Sequence, residues 1–599
     1  MPRIAQHLCA WAARAPKTSF RGIVIVIAAV VIGIASSALS IGFREAIGSI
    51  QYLGYGFADE DSWRLFAELP WYVLLTVPTL GGLIVGLYIR WVMPGGRPVG
   101  VAQVMEASAL RSGRMSMRDG LHGAVVNFFS LGVGASAGRE GPVVHLGATV
   151  GAKVADMLGL PSSGARVLLG CGVAAAVAAA FNAPLAGVFF ALEVVIGHYA
   201  IGALAPIVAA SVVATAVTRA VYGPYPAFQL APFEIGSNLE FPAFAILGVG
   251  AAAVAILFMR SVLFVEKVHD RLHIPCWVRP ALGGFLVGVI ALGFPQVMGV
   301  GYGATSSILT MDFELAFLVG LAIAKTAATA ITLGSGFGGG IFSPSLFLGA
   351  AIGGAFGYIA GMIAPGVLAP NSDIFAGEGA YALVGMGAFA AATLGAPIST
   401  ILMVFEITTD YAMTTAVMIA VVASVATVNS LQGASYFRGQ LARRGIDVDR
   451  SRIEADLLRD IQVGGVISSA YSTTLPEACL RDVRLQLQTA AFGELFVVSA
   501  ERRLIGTITL ADLAPEAFER ELDTLIVARD VARLHPPMLA AEDSLQDALG
   551  LMESRSEAHI PVVRNRENRE IIGVVHERDV MLAYNQALVR LHREEGAAF

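Results

Sequence analysis

The chain has 599 residues, 56% of them hydrophobic and only 14% charged. Soluble domains carry about a quarter charged residues, so this composition excludes a soluble globular protein and fits one that crosses a membrane several times. The net charge of −6 is spread over both halves and leaves no footprint for nucleic acid.

Arg3, Arg14, Lys17 and Arg21 flank the start of the first apolar run, 22–43, and the positive-inside rule puts the N-terminal segment 1–17 in the cytoplasm. That run is too long for the apolar core of a signal peptide. Further runs near the 20 residues a span needs lie at 71–93, 243–265 and 413–431. Other hydrophobic segments break at "GREGP", "FNAPLAG", "GGGIFSP" and "GAPIST". Irregular backbone at membrane depth survives only where it is buried or lines a polar cavity. Cys9, Cys171, Cys276 and Cys479 lack metal-ligand spacing and make no case for a disulfide framework or a zinc site.

The breaks repeat. "GCGVAAAVAAAFNAPLAGVFFALE" (170–193) resembles "GMGAFAAATLGAPISTILMVFE" (385–406), with a glutamate nine residues past an Ala-Pro: Pro184 to Glu193, Pro397 to Glu406. A Gly-x-x-x-Pro break precedes each copy, at 138–142 and 340–344. Two copies with breaks in matching places point to a transporter or channel whose site lies where the breaks meet.

One break, "SAGREGPVVHLG" (136–147), sets Arg139 beside Glu140 in an apolar stretch. A charge at bilayer depth costs about 2.5–3.5 kcal/mol on insertion scales and is functional by default. A helix that starts inside the membrane leaves N–H groups unpaired and carries partial positive charge there. Two such starts make an anion site without a cationic side chain, and glycines let the ion approach the backbone. Glu140 at such a start predicts a gate whose carboxylate takes the place of the anion, with Arg139 holding the local structure. A purely structural Arg139–Glu140 pair is the alternative.

"GREGP", "FNAPLAG…E" and "GSGFGGGIFSPSLFLGAAIG", in this order and before a paired C-terminal module, resemble the CLC chloride channel and transporter family. The resemblance implies an all-α polytopic membrane domain over 18–437, with inverted repeats and broken helices. It implies a homodimer with one anion pathway per subunit and Glu140 as the gating glutamate. Gly340, Ile341 and Phe342 would line the centre of the pathway, with Gly100, Arg139 and Gly141 beside it.

Three positions depart from the family. Its Gly-Ser-Gly-Ile-Pro motif supplies a serine hydroxyl to the central anion, whereas "PVGVA" (98–102) puts Val99 there and leaves backbone amides to hold the ion. Proton-coupled members carry an internal glutamate where this chain has Val194, which favours passive conduction. The neighbouring Glu193 is expected to point about 100° away on a helix and to face packed protein. The family's anion-contacting tyrosine falls on "ASYFRGQLARRG", where spacing favours Phe437 and residue identity favours Tyr436. Lys325 and Glu406 are expected to satisfy buried helix ends, and His145 to pack or bond locally.

Near Arg438 the composition turns charged and mixed, giving a linker at 438–461. Residues 462–514 and 530–585 resemble two CBS repeats of a soluble α/β pair, expected in the cytoplasm. They end in "GTITLAD" (506–512) and "GVVHERD" (573–579). In such pairs the Ser/Thr and Asp of this ending can bind an adenine nucleotide. The first copy has Thr509 and Asp512, while the second has Asp579 but His576 in place of the hydroxyl. Structural dimerisation is supported as well as nucleotide sensing, and no cofactor is required.

The sequence therefore points to a CLC-type channel conducting chloride or a related anion passively across a plasma or inner membrane. Its partners are the anion, the lipid bilayer and a second copy of the chain, without nucleic acid. The alternatives are a proton-coupled antiporter for chloride or another anion and, from a different class, a CBS-regulated divalent-cation transporter. The last needs inward-facing carboxylate clusters, where these broken helices offer amides. No nucleophile–base arrangement supports an enzyme.

Overall fold

The computed structural model describes residues 19–597 apart from 59–62, 94–98, 200, 229, 231–239, 272, 364–375, 448–457, 459–460, 491, 514–522, 524 and 556. The segment 1–17, Pro98, most of the linker between 448 and 460, and residue 514 lie outside the described residues. The chain divides into two compact units, Met1–Val448 and Asp449–Phe599.

In the first unit, eight described helices are long and apolar enough to cross a membrane. The four apolar runs of the sequence lie in Ser19–Tyr55, Trp71–Val92, Glu240–Arg271 and Tyr411–Leu431. At 1.5 Å per residue, the 20-residue helix Ser162–Phe181 is about 30 Å long, the thickness of the hydrocarbon layer. Its Ala, Gly and Val residues from Leu168 to Ala179 are all buried. Outer helices instead expose Ile27, Leu53, Trp91 and Leu257, side chains suited to lipid as solvent.

Small residues set the spacing between helices, since apolar burial gives no drive for association inside lipid. Gly147 on Glu140–Met157 meets Gly172 on Ser162–Phe181, and Gly349 on Phe342–Ile363 meets Gly385 on Ala376–Leu394. A Cβ on any of the four would collide with the backbone oxygen of its partner.

These matched contacts reflect the repeat. The helices Ser162–Phe181 and Ala376–Leu394 are each followed by a left-handed residue, Asn182 (φ 57°) and Gly395 (φ 69°). Pro184 and Pro397 then occupy the first turn of a short helix, where a missing N–H costs nothing. Pro397–Thr408 has 12 residues, about 18 Å, too short to cross alone. Pro184–Phe190 continues into a six-residue π-helical turn, Ala191–Ile196.

The second unit contains two sheets built alike. The first has strands β1 (Ser472–Thr474), β2 (Glu494–Val498), β3 (Leu504–Thr509) and β4 (Arg533–Leu534), adjacent in that order. The second has β5 (Leu539–Ala540), β6 (His559–Val563) and β7 (Ile571–His576). Each sheet opens with a parallel pair bridged by a helix, Leu480–Thr489 or Leu545–Arg555, and continues as an antiparallel hairpin. The hairpins share an irregularity at the same place, between Val497 and Val498 and between Val562 and Val563. The leading segments are exchanged: Val463 packs with Leu539 and Leu545 in the second core, and Ala528 with Leu480 and Leu495 in the first. The two repeats therefore fold as one interlocked body.

Candidate functional site

The two breaks of the repeat meet. Gly138 and Gly340 form an antiparallel bridge, each N–H donating to the other's carbonyl at 2.7 Å. This staple sets the start of Glu140–Met157 beside the start of Phe342–Ile363. Glycine is needed at 138 because a Cβ there would stand 2.5 Å from Glu140 Oε2 and 2.9 Å from Ser343 N.

Glu140 is fully buried. Its Oε1 accepts from the Tyr302 hydroxyl at 2.5 Å and from Ser343 Oγ at 2.6 Å, and its Oε2 accepts from Ser343 N–H at 3.3 Å. The carboxylate thus occupies the first turn of Phe342–Ile363, where unpaired amides and the helix dipole favour negative charge. The Arg139 guanidinium lies 4.8 Å over the Tyr302 ring.

Cavities open on two sides of this carboxylate. The first, ≈ 1220 Å³, is lined by Arg44, Arg64, Arg139, Phe181, Tyr222 and Tyr302 among others. The second, ≈ 750 Å³, brings together Val99, Gly100, Gly141, Gly340, Ile341, Tyr436 and Phe437, seven residues singled out from the sequence. Arg139 belongs to the first cavity, and the Phe342 ring packs on Phe181 (4.9 Å) and Phe190 (5.8 Å).

Val99 lines the second cavity while one of its methyl groups fills the notch at Gly123. Gly100 N–H, at the start of Val101–Leu110, donates to Gln103 Oε1 at 2.9 Å. Tyr436 and Phe437 both line the cavity, and Gln440 Nε2 donates to the Tyr436 hydroxyl at 3.1 Å. Val194 is buried in the π-helical turn, which packs against Val101–Leu110.

Glu193 faces packed protein and lines neither of the two cavities, as expected, but the α-helical geometry assumed for it is corrected. Its turn is π-helical, and its half-buried carboxylate reaches across to Ile398 N–H (3.0 Å) and Ser399 N–H (2.9 Å). Glu406 and Lys325 satisfy helix ends as expected: Glu406 accepts from Leu185 and Ala186 N–H, both at 2.8 Å. Lys325, fully buried, donates to the carbonyls of Val297 (3.0 Å) and Gly299 (3.4 Å). His145 is buried within its helix.

Sequence reasoning missed Tyr302, Ser343 and Glu266. Ser343 lay in the quoted "GIFSP" but drew no role, and Tyr302 follows the turn "GVG" with nothing local to mark its partner. Glu266 lines the second cavity and is paired with Arg443 at 3.0 Å. In the second unit, Thr509 N–H and Oγ1 both donate to Asp512 Oδ2 at 2.8 Å, so the first CBS ending is closed on itself. In the second ending His576 Nδ1 accepts from Arg578 N–H at 2.9 Å, and Asp579 is half-buried at the start of Glu577–Ala597.

Residues 81–429 match the voltage gated chloride channel family, and 528–586 match the CBS domain. A ClcB-like chloride channel protein of Ralstonia nicotianae is 34% identical over 424 residues, covering 70% of this chain and 97% of the relative. The chloride channel protein CLC-f of Arabidopsis thaliana is 28% identical over 630 residues, 91% of this chain and 78% of the relative. Among solved structures, a slow cyanobacterial Cl−/H+ antiporter aligns with a TM-score of 0.61 at 24% identity, over 70% of this chain and 97% of its own. A eukaryotic CLC transporter aligns with 0.59 at 17% identity, over 93% and 97%. At those identities the solved structures share the fold. With broken helices meeting at Glu140 and a CBS region at its C-terminal end, this chain belongs to the CLC family of chloride channels and transporters.

Proposed function

We propose that the chain conducts chloride passively, with the Glu140 carboxylate as its gate. One observation carries this reading: a fully buried carboxylate occupies the amide-rich start of Phe342–Ile363, held by Tyr302 from the first cavity and by Ser343, two residues beyond Ile341 on the wall of the second. An anion at that spot would use the same Ser343 N–H, so carboxylate and chloride compete. When the carboxylate leaves, the two cavities join through a site favourable to negative charge.

Passive conduction is supported by Val194, since an aliphatic side chain cannot carry a proton. Glu193 next to it is committed to a helix start. The relatives bear chloride-channel names, which agrees with this reading. The rival, a proton-coupled exchanger, agrees with the antiporter name of an aligned solved structure and with Glu266, a carboxylate on the wall of the second cavity. We further propose a homodimer in a plasma or inner membrane, with the N-terminus and the CBS pair cytoplasmic. Any adenine nucleotide at that pair would be regulatory and would have to open the Thr509–Asp512 bond.

The gate is tested by chloride efflux from proteoliposomes. Glu140→Gln removes the charge that competes with the anion and is expected to raise flux and abolish its dependence on pH. Wild-type flux and pH response in folded variant protein would overturn the assignment.

A further inference from the structure

Two of the three bonds on Glu140 come from Ser343, which belongs to the helix start and can serve an anion as readily as the carboxylate. The third comes from another element. Tyr302 opens the helix Tyr302–Leu309, lines the first cavity, and directs its hydroxyl at Glu140 Oε1 from 2.5 Å. A phenol donor aimed at the carboxylate rewards the closed position.

The ring has little freedom to leave. It is buried, sits edge-on to Phe228 at 5.1 Å, and carries the Arg139 guanidinium on its face. The turn before it is anchored by Lys325, whose Nζ holds the carbonyls of Val297 and Gly299. Gly301, left-handed at φ 89°, completes that turn, and a Cβ there would stand 3.2 Å from the Phe347 ring and 3.3 Å from Lys325 Nζ. A buried lysine on one helix thus fixes the direction of a phenol that ends on the proposed gate.

We propose that Tyr302 is a positioning residue that latches Glu140 across the pathway and so sets how well an anion competes with the carboxylate. The proposal rests on Glu140 being the gate. In a competition between a tethered carboxylate and a free anion, strengthening the tether raises the half-saturating anion concentration and leaves the maximal rate unchanged. Damage to packing would instead lower the maximal rate.

The test is chloride flux by the full-length protein in proteoliposomes, measured across chloride concentrations for wild type, Tyr302→Phe, Glu140→Ala and the double variant. Phenylalanine keeps the ring contacts and deletes the donor. Tyr302→Phe is expected to lower the half-saturating chloride concentration about tenfold, with maximal flux within about twofold. In the Glu140→Ala background it is expected to change neither. An unchanged half-saturating concentration in Tyr302→Phe, where Glu140→Ala shifts it, overturns the latch and leaves the gate standing. So does a loss confined to maximal flux, or an equal effect in both backgrounds. No effect of Glu140→Ala removes the gate and the latch together.

Discussion

Glu193 and Glu406 cap each other's helix. Glu193, nine residues past Pro184, accepts from the amides of Ile398 and Ser399 that follow Pro397. Glu406, nine residues past Pro397, accepts from the amides of Leu185 and Ala186 that follow Pro184. The exchange requires the two short helices to run antiparallel, each presenting its end to the other's start, and so ties the two halves of the repeat together. A carboxylate at a helix start gains from the dipole as well as from the bonds.

Removing either cap leaves two amides without their acceptors. Glu193→Ala and Glu406→Ala are each expected to destabilise the membrane unit by about 1–2 kcal/mol. Their sum should exceed the cost of the double variant, because both losses loosen one helix pair. Thermal unfolding of detergent-solubilised protein measures this. A neutral single variant would show that water replaces the carboxylate at that helix start.

Val99→Ser returns a hydroxyl to the wall of the second cavity. If it reaches the central anion with a bond worth about 1.4 kcal/mol, chloride should bind up to about tenfold more tightly. The same change empties the notch at Gly123. Titration calorimetry on wild type and variant decides the matter, and equal affinities would mean the hydroxyl turns toward Gly123 instead.

Glu494 gives the C-terminal unit a pH dependence. It opens β2 and is buried, and desolvation followed by the charge of Glu557 pushes its carboxyl up to about 7, against the pull of Arg533. Its ordinary value is 4.5, so between about pH 4.5 and 7 the native state holds a proton that the unfolded chain has lost. Stability therefore falls as pH rises through that window. Glu494→Gln should protect β2 and β3 by about 2–3 kcal/mol at pH 8 and by almost nothing at pH 4. Amide hydrogen exchange of those strands in the full-length protein reads this directly, and unchanged protection at pH 8 would contradict it.

Much of the membrane unit was legible because glycine and proline write the helix breaks into the sequence. The Gly-x-x-x-Pro and Ala-Pro signals located both helix starts, and a lone Arg-Glu in an apolar stretch singled out Glu140. Partners distant in the chain were not legible. Tyr302 meets Glu140 across 162 residues, and a tyrosine in "GVGYGA" looks like any buried aromatic. The Glu193 expectation assumed α-helical geometry, but the turn Ala191–Ile196 is π-helical, and hydrophobic periodicity carries no sign of that. The interlocked CBS repeats escaped for the same reason: Val463 N–H donates to the Asp543 carbonyl at 2.8 Å, a pairing that linear ranges cannot express.

Passive anion conduction is tested most directly by the reversal potential of the purified protein in planar bilayers, under chloride and pH gradients imposed separately. The account predicts a reversal potential that follows the chloride gradient alone, with no shift when only pH differs and no uphill proton movement driven by chloride. A potential that moves with the pH gradient would contradict it. Glu193→Gln and Glu266→Gln would then identify the carboxylate that carries the proton.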